Sequence, residues 1–506
     1  MQEREKTKKE SGDFFYKFIS VAIPLFLILS IGFFVADRSG VIVRNQTAAT
    51  VGSVKISVPE YYYYYRTVYN AYYQQFSLYG VDTSKPLSEQ MFSETQSWED
   101  YLKSEAVNQA QRSIALSESA KKAGVQLTKQ EWDDINDLLK DLELSAKDSS
   151  TTIENYIKSM YGRYATRGMV RKLLERDSLA SKFYSQEQSR INGAVTDAEI
   201  DSAYAADKKA YDLVDYRYFF FSSTPETQKD EEGNDIPVSE VELTAAQTAA
   251  KSSADAMLAN VTDDASFLTA AADSLPEEER AEFDADAATR AENVRYASLD
   301  ASLGAWLFDD ARKAGDKSVI EASNGYYVAL FGGRYREEDS TVTVRHILLS
   351  VPAAGDTDED AEAKNAENDA NVKQKVDEIY AQWQKNPTED NFAALAEDNS
   401  ADTGSAVEGG LIEKISKDST VEEFDAWCFD PARKSGDTGI VRTSYGYHII
   451  YFVKTDVAAW KVAVISTISS ENVTKYMEDI VEPYPIKENE RGIRKAFESY
   501  NLMPQQ

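Results

Sequence analysis

The sequence is poor in cysteine, histidine and basic residues. Its single cysteine, Cys428, excludes an internal disulfide bond, so cysteine content says nothing about the compartment. The 86 acidic residues outnumber the 55 basic ones and give a formal net charge of -31. This charge repels phosphate backbones and anionic lipid, and nucleic-acid binding is therefore disfavoured. A solvated acidic surface that resists aggregation is the simplest interpretation of the charge.

The length and the N-terminus predict several domains behind a membrane anchor. A chain of 506 residues is too long for one core, which stops growing near ~250 to 300 residues. Residues 18–36 form an uncharged run of about the ~20 residues that cross a bilayer as a helix. Because basic residues precede this run, we expect 1–17 to be a cytoplasmic tail, 18–36 a single transmembrane anchor in the cell membrane, and the rest extracytoplasmic. A cleaved signal peptide is the alternative, but Phe34-Val35-Ala36 lacks a small-x-small cleavage site.

Residues 46–210 read as an all-helical domain without obvious chemistry. The stretch from Tyr61 to Tyr73 contains eight tyrosines, which would cover nearly every face of a helix. These rings either pack in a core or line a groove for apolar peptides. Two capping-box spacings predict helices that begin at Lys129 and Asp197. Other helices are predicted at 98–124, 128–144, 150–162 and 166–190.

The rest of the chain contains two copies of one module. Residues 305–316 and 426–437 are identical at nine of twelve positions, at an offset of 427 - 306 = 121. Upstream, 214–222 aligns with 342–350. The modules, at 214–335 and 342–454, each read as strand, helices, strand, which predicts an α+β or α/β sandwich whose first and last strands are neighbours.

The two histidines lie on the terminal strands of the second module. His346 is in the apolar run 342–350, and His448 is in the closing run 445–450, so adjacent strands would bring the imidazoles together. In the first module Tyr218 and Tyr327 stand at the matching places, and no Ser-x-Asp segment with Gly-Gly is found between Ser266 and Ala305. We therefore predict that the first module keeps the fold and lacks the site, with a solvated acidic loop at 227–242.

Four separated motifs follow one another in the second module. They are Arg345 to Leu348, then Ser400-Ala401-Asp402 with Gly409-Gly410-Leu411, then Phe424 to Phe429, then Thr443 to Ile450. In these motifs residues 342–454 resemble a parvulin-type peptidyl-prolyl isomerase domain. A helical domain followed by such modules also resembles extracytoplasmic foldases of the PrsA and SurA type. The expected protein is α+β and multidomain, with an N-terminal transmembrane helix, an all-helical chaperone-like domain and two parvulin-like α/β modules, the first degenerate.

The resemblance implies an isomerase that needs no cofactor and no metal. Its substrates would be unfolded or exported polypeptides with X-Pro bonds, whose rotation over ~18 to 20 kcal/mol is slow enough to limit folding. The site would hold a twisted amide better than a planar one, without a covalent step. By resemblance the catalytic cluster is His346, His448 and Asp402, extended by Thr443 and Tyr445, and the pocket for the proline ring is Leu411, Phe424 and Phe429.

Some features weaken or compete with this assignment. The turn Gly409-Gly410-Leu411 lacks the acidic residue of the family, and Thr420 stands where the family often has methionine, so reduced activity is expected. A metal on the histidines lacks further ligands, and Cys428 is better explained as a buried hydrophobe than as a nucleophile. Rival functions are a holdase chaperone with both modules inactive and a scaffold without chaperone action. For the tail, 455–506, we expect a strand at 460–468 and one or two helices that pack on the helical domain.

Overall fold

The computed structural model describes residues 40–225, 238–355 and 361–498. They mix helices and sheets in several domains, which confirms the predicted α+β class. The described residues divide into one unit that runs to Ala194 and resumes at Ser469, and a second unit at Val195–Ile468. The predicted anchor at 18–36 lies outside the described residues, as does most of the acidic loop at 227–242. Within the described ranges, no helix is both long and apolar enough to cross a membrane.

The first unit is mainly helical but begins with a hairpin of two strands. Gly52, at φ +56°, lies in the tight turn between them, where a residue without a side chain is favoured. The prediction of an all-helical domain is therefore wrong at residues 47–57. The capping box of Thr128 and Glu131 is present, and it confirms the predicted helix start at Lys129. The elements are α1 Val41–Arg44, β1 Thr47–Val51, β2 Val54–Ser57, α2 Val58–Tyr73, α3 Trp98–Lys122, α4 Lys129–Asp148, α5 Ile153–Tyr161 and α6 Arg167–Gly193.

The tyrosine-rich helix α2 packs mostly in the core of this unit. The five consecutive tyrosines from Tyr61 to Tyr65 are each at most 8% exposed. Inside the core, the Tyr64 hydroxyl donates to Asp177 at 3.0 Å and accepts from Arg176 at 2.8 Å. The core interpretation therefore holds for the first turns of α2, whereas Tyr73 at its end is 47% exposed.

The first module forms a four-stranded antiparallel sheet in the order β4-β3-β6-β5. It is preceded by α7 Asp197–Ala206, which begins with the predicted capping box. This helix belongs to the second unit, so the boundary predicted at residue 210 lies too late; the chain divides between Ala194 and Val195. The module comprises β3 Leu213–Ser222, α8 Glu240–Asn260, α9 Asp264–Asp273, α10 Glu277–Arg280, α11 Ala285–Thr289, β4 Arg290–Arg295, α12 Ala301–Leu307, β5 Lys317–Ala322 and β6 Gly325–Tyr335.

The second module repeats this sheet in the order β8-β7-β10-β9. Its first and last strands pair antiparallel, with Ile347 opposite Ile449, as the sequence predicts. Helices α13 and α14 cover one face through residues such as Phe392, and α16 covers the other through Phe424. The elements are β7 Ser340–Leu349, α13 Ala361–Lys385, α14 Glu389–Asn399, α15 Thr403–Ala406, β8 Leu411–Ile415, α16 Glu422–Cys428, β9 Thr438–Thr443 and β10 Gly446–Ala458.

The C-terminal segment begins with a long helix. This is α17 Ala459–Val481, so the strand predicted at 460–468 is wrong. Trp460 and Val464 lie one helical turn apart and are buried together with Ile200. This spacing of four residues favours a helix, although the β-branched residues of the segment favour a strand. Within the first unit, β11 Ile486–Glu488 pairs antiparallel with β1, and α18 Glu490–Glu498 packs on α2. The Phe497 ring lies 4.7 Å from that of Tyr65.

Candidate active site

The two histidines meet on one face of the second module's sheet. His346 lies opposite Ile450, and His448 lies opposite Leu348, so both side chains project from the same side of the paired strands. Their Nδ1 atoms are 3.2 Å apart, and their rings are inclined by only 16°. Both residues are buried, at 5% and 6% exposure. The juxtaposition predicted from sequence is thus present.

Asp402 and Ser405 contact the outer nitrogen of His346. Asp402 is the N-cap of α15, and its Oδ1 accepts the amide hydrogen of Gly404 at 3.2 Å. Its Oδ2 lies 2.7 Å from Nε2 of His346 and accepts a hydrogen bond from the Ser405 hydroxyl at 2.5 Å. Ser405 Oγ is also 3.1 Å from that nitrogen. Ser405 was not among the residues predicted from the sequence, although its spacing of three residues from Asp402 at a helix start was an available signal.

The loop that carries Asp402 is attached directly to β7. The amide of Ala401 donates to the carbonyl of Leu348 at 2.7 Å, and the hydroxyl of Ser400 accepts from the amide of Leu348 at 3.1 Å. Along the same edge of β7, the His346 amide donates to the Gly410 carbonyl at 2.8 Å. Gly410 has φ +71°, and a Cβ there would lie 2.2 Å from the carbonyl oxygen of His346. The Gly-Gly turn therefore needs glycine at this position because of the close approach to the histidine strand.

At the other end of the cluster, Thr443 contacts His448. Thr443 is 3% exposed, and its Oγ1 lies 2.9 Å from Nε2 of His448. The backbone amide of Tyr445 donates to the same oxygen at 3.2 Å. The Tyr445 side chain is 65% exposed, so this residue joins the network through its backbone and not through its hydroxyl.

Of the three predicted pocket residues, two lie on the histidine face. The Phe424 ring meets the His346 and His448 rings edge-on, with centroids 5.7 and 5.2 Å away. Phe429 is half-buried against the same apolar cluster. Leu411 pairs with Arg345, whose side chain alternates to the opposite face from His346. The next residue, Ile412, packs in the cluster of Phe424 instead, so the expectation that Leu411 lies beside the histidines is wrong.

Burial and hydrogen bonding set the charges of the site. Burial, reinforced by the neighbouring His346, lowers the pKa of His448 to about 4. Burial also lowers the pKa of His346, although the hydrogen bond with Asp402 opposes this shift. The hydrogen bond from Ser405 holds the pKa of Asp402 below its ordinary value. At neutral pH the cluster therefore contains a carboxylate and two neutral imidazoles.

Two polar groups near the pocket have limited roles. The hydroxyl of Thr420 is buried and has no hydrogen-bond partner among the described residues, so it adds polarity without a defined contact. Burial raises the pKa of Cys428 to about 12, which keeps the thiol protonated at neutral pH. Cys428 is 1% exposed and behaves as a packed hydrophobe rather than as a nucleophile.

The first module presents tyrosines at the positions of the histidines. Tyr218 lies opposite Ala329, and Tyr327 lies opposite Phe220, in the register that His346 and His448 have in the second sheet. At the repeat offset of 121, Ala322 corresponds to Thr443. Within the part of the first module that the structure describes, 213–225 and 238–335, the residues at these matching positions form no such hydrogen-bonded cluster.

Comparison with known families defines the class of the second module. Residues 346–454 match the family model Rotamase, described as the PPIC-type PPIASE domain. The resemblance to parvulin-type isomerases is thereby confirmed, and the second module is a peptidyl-prolyl isomerase domain of this type.

Particular relatives are foldases. The chain is 27% identical over 175 residues to the foldase protein PrsA 1 of Listeria innocua serovar 6a, which covers 33% of this chain and 51% of the relative. It is 27% identical over 194 residues to the foldase protein PrsA of Staphylococcus aureus strain Newman, or 36% of this chain and 58% of the relative. The chain thus spans between half and three fifths of these curated relatives. The crystal structure of PrsA from Bacillus subtilis aligns with a TM-score of 0.26 and 12% identity, over 83% of this chain and 96% of that chain.

Proposed function

We propose that this protein is a membrane-anchored, extracytoplasmic foldase that isomerises X-Pro bonds of exported polypeptides through its second parvulin module. The observation that carries the proposal is the continuous set of contacts from Asp402 through the two imidazoles to Thr443, beneath the Phe424 ring. These contacts connect the Asp402 carboxylate, whose side chain is 33% exposed, with two buried and neutral imidazole rings. Such a cluster can favour a twisted amide by electrostatics alone.

In this proposal the residues have separate roles. Asp402 is the member of the cluster that reaches solvent, and it would face the substrate amide. The imidazoles support and orient Asp402, while Phe424, Phe429 and Ile412 would contact the proline ring. Leu411, on the opposite face of the sheet, would support the Gly-Gly turn.

The foldase role is tested by refolding an exported protein whose slow phase is limited by a prolyl bond. Catalytic amounts of the full chain should shorten this phase, since unaided isomerisation takes tens to hundreds of seconds. Asp402→Asn should reduce the acceleration about 10- to 100-fold without changing the refolded yield. A slow phase unaffected by the wild-type chain would contradict the enzymatic proposal.

Membrane attachment and topology rest on the sequence of residues 1–36. The positive-inside tendency supports a cytoplasmic N-terminus and an uncleaved single span. Protease added to cells whose cytoplasmic membrane is intact and whose outer envelope layers have been removed should digest the modules and leave an epitope tag fused before residue 1 protected. Recovery of a shortened chain in the medium would instead support a cleaved signal peptide.

A specific surface of the first unit favours a second candidate function, a holdase chaperone. Five large apolar side chains are exposed close together in the sequence around the buried Trp98: Tyr73 at 47%, Leu78 at 83%, Tyr79 at 56%, Met91 at 58% and Phe92 at 40%. The rings of Tyr79 and Phe92 lie 5.5 and 4.9 Å from Trp98, so this aromatic surface is contiguous. Contiguous exposed apolar surface is typical of an interaction site.

The holdase function can be separated from isomerisation. Tyr79→Ser with Phe92→Ser should weaken the suppression of aggregation of an unfolded client. Leu144→Ser is the matched control, since Leu144 is 48% exposed on α4, outside the aromatic surface. Equal suppression by all three proteins would exclude this surface as the binding site.

A further inference from the structure

The hydrogen-bonded cluster ends in two groups that each have a fixed role, one as donor and one as acceptor. At one end is the backbone amide of Tyr445, which can only donate. At the other end is the Asp402 carboxylate, which can only accept when ionised. Between these ends lie two imidazoles and one hydroxyl that can each both donate and accept. The carboxylate end decides the direction of every hydrogen bond between them, and the Tyr445 amide is compatible with that direction because the Thr443 oxygen accepts from it.

The direction propagates from Asp402 inward. Because Oδ2 of Asp402 accepts, Nε2 of His346 must carry a proton, and Nδ1 of this neutral ring is left as an acceptor. The contact of 3.2 Å between the two Nδ1 atoms then requires the proton on Nδ1 of His448. Nε2 of His448 accordingly accepts from the Thr443 hydroxyl, whose oxygen accepts from the Tyr445 amide. All four ring nitrogens are thus satisfied within the site.

Ser405 reinforces the accepting end. Its single hydroxyl proton goes to Oδ2 of Asp402, so Ser405 cannot also donate to the imidazole. Its oxygen, 3.1 Å from Nε2 of His346, can accept a share of the same ring N–H. The serine thus provides a second acceptor for the His346 proton and also holds the carboxylate oxygen in place.

We propose that Ser405 is a positioning residue that, together with Asp402, fixes His346 as the Nε2–H tautomer and His448 as the Nδ1–H tautomer. The reverse arrangement would need a protonated Asp402, and it would leave the Thr443 hydroxyl proton without an acceptor in the cluster, since both Tyr445 N–H and His448 Nε2–H would donate to that oxygen. The importance of this role for catalysis rests on the proposed isomerase function. Its consequence is that no imidazole nitrogen is available to attack or deprotonate the substrate.

The small number of histidines allows a direct test in the full chain. With only two histidines in the sequence, selective ¹⁵N labelling gives four ring-nitrogen resonances, which His448→Gln assigns to the two rings. At pH 7.5 we expect protonated Nε2 on His346 and protonated Nδ1 on His448. Any other tautomer in the wild-type protein would overturn the inference without recourse to a variant of Ser405.

Variants of Ser405 test its own contribution. Ser405→Ala removes the hydrogen bond that holds Oδ2 of Asp402 against His346, so the carboxylate should leave the ring for part of the time. The His346 resonances should then shift toward averaged tautomers, and kcat/KM should fall about five-fold, the effect of one hydrogen bond. Ser405→Thr keeps the hydroxyl and should restore both the tautomers and the rate. Ser419→Ala is the control, because the Ser419 hydroxyl donates only to the Ser416 carbonyl.

Failure of the inference and failure of the proposed function have different signatures. Wild-type tautomers retained in Ser405→Ala, in a chain that isomerises X-Pro peptides, would overturn the role of Ser405 alone. The expected tautomers in a wild-type chain without isomerase activity would contradict the function alone. If Ser405→Ala fails to fold, Ser405→Cys supplies a smaller perturbation with a weaker donor, and intermediate averaging is expected. Unchanged tautomers in Ser405→Cys, when Ser405→Ala does not fold, would count against the proposal.

Discussion

The rings of Tyr218 and Tyr327 lie 6.1 Å apart on paired strands of the first module. They hold the register positions that the two histidines hold in the second module. The same sheet therefore forms with tyrosines or with imidazoles at these places. This internal comparison argues that the histidine pair is not needed for the fold of the module.

Replacing both histidines with tyrosines tests whether the pair is needed for folding. The design must include Phe424, which packs against both rings. Phe424 packs edge-on against both imidazoles, whereas the repeat offset of 121 places Leu303 at the matching position of the first module. We expect His346→Tyr with His448→Tyr alone to be destabilised by about 1 to 3 kcal/mol through overpacking. Adding Phe424→Leu should recover much of this loss while isomerase activity stays absent. Hydrogen exchange of the β7 and β10 amides measures the stability; a triple variant that stays unfolded would make the pair structural.

Substitution of Asp402 separates charge from helix capping. Asp402→Asn can still accept from the Gly404 amide, so α15 should keep its cap while the site loses its carboxylate. We expect kcat/KM for an X-Pro peptide to fall about 10- to 100-fold, the range for a lost charge-assisted contact. Asp402→Ala should lose activity similarly and also about 1 kcal/mol of stability through the cap. An Asn variant with wild-type rate would show that the charge plays no part.

The pH dependence follows from the low pKa of His448. This pKa is about 4 in the folded protein against an ordinary 6.5, so the unfolded chain binds the proton more tightly. Above pH ~6.5 His448 is neutral in both states and does not lower the free energy of unfolding. As the pH falls from ~6.5 toward ~4, the unfolded state takes up the proton first, and the free energy of unfolding decreases by up to about 3 kcal/mol. The charged or titratable groups that act on His448 are His346, Asp402 and Arg442.

Two measurements check this pH dependence. The difference in unfolding free energy between the wild type and His448→Gln should change between pH 7.5 and pH 4.5, with the wild type losing more on acidification. The isomerase rate should show no midpoint at the ordinary histidine pKa of 6.5, because burial lowers the pKa of both imidazoles below it. A rate midpoint at or above pH 6.5 would contradict the lowered pKa values.

Arg345 and Arg217 offer a matched pair in the two modules. Arg345 binds Glu389 at 2.9 Å and donates to the carbonyls of Glu408 and Gly409, next to the Gly-Gly turn. Arg217 similarly binds Asp264 at 2.5 Å in the first module. Arg345→Ala should destabilise the second module by about 2 to 3 kcal/mol and lower the isomerase rate. Arg217→Ala should destabilise only the first module; a fall in the isomerase rate there would show coupling between the modules.

Local patterns in the sequence predicted much of the second unit. The repeated segments around Trp306 and Trp427 identified both modules, because the two copies can be aligned with each other within the same sequence. The pairing of β7 with β10 followed from module topology, and it brought His346 to His448. The short loop after Asp402 was harder, since the contact of Ser405 depends on a single helical turn.

The incorrect predictions concern segments whose structure depends on residues far away in the sequence, or on a strand register that differs by one residue. The strand β1 is paired by β11, more than 400 residues later, and no local pattern in 47–51 specifies that partner. Trp460 and Val464 form one buried face of a helix, and Ile200, which packs on that face, lies far upstream in the chain, so the local sequence does not reveal it. Leu411 and Ile412 are both apolar, so only the strand register decides which one reaches the histidine face.

Isomerase activity is measured most directly as the cis-to-trans rate of a short X-Pro peptide with the full chain, followed by NMR exchange at pH 7.5. We expect a rate well above the uncatalysed one, which has a time constant of tens to hundreds of seconds. With His346→Gln and His448→Gln combined, we expect only the uncatalysed rate. A wild-type rate no faster than the uncatalysed one, or an undiminished rate in the double variant, would show that the histidine cluster does not catalyse isomerisation.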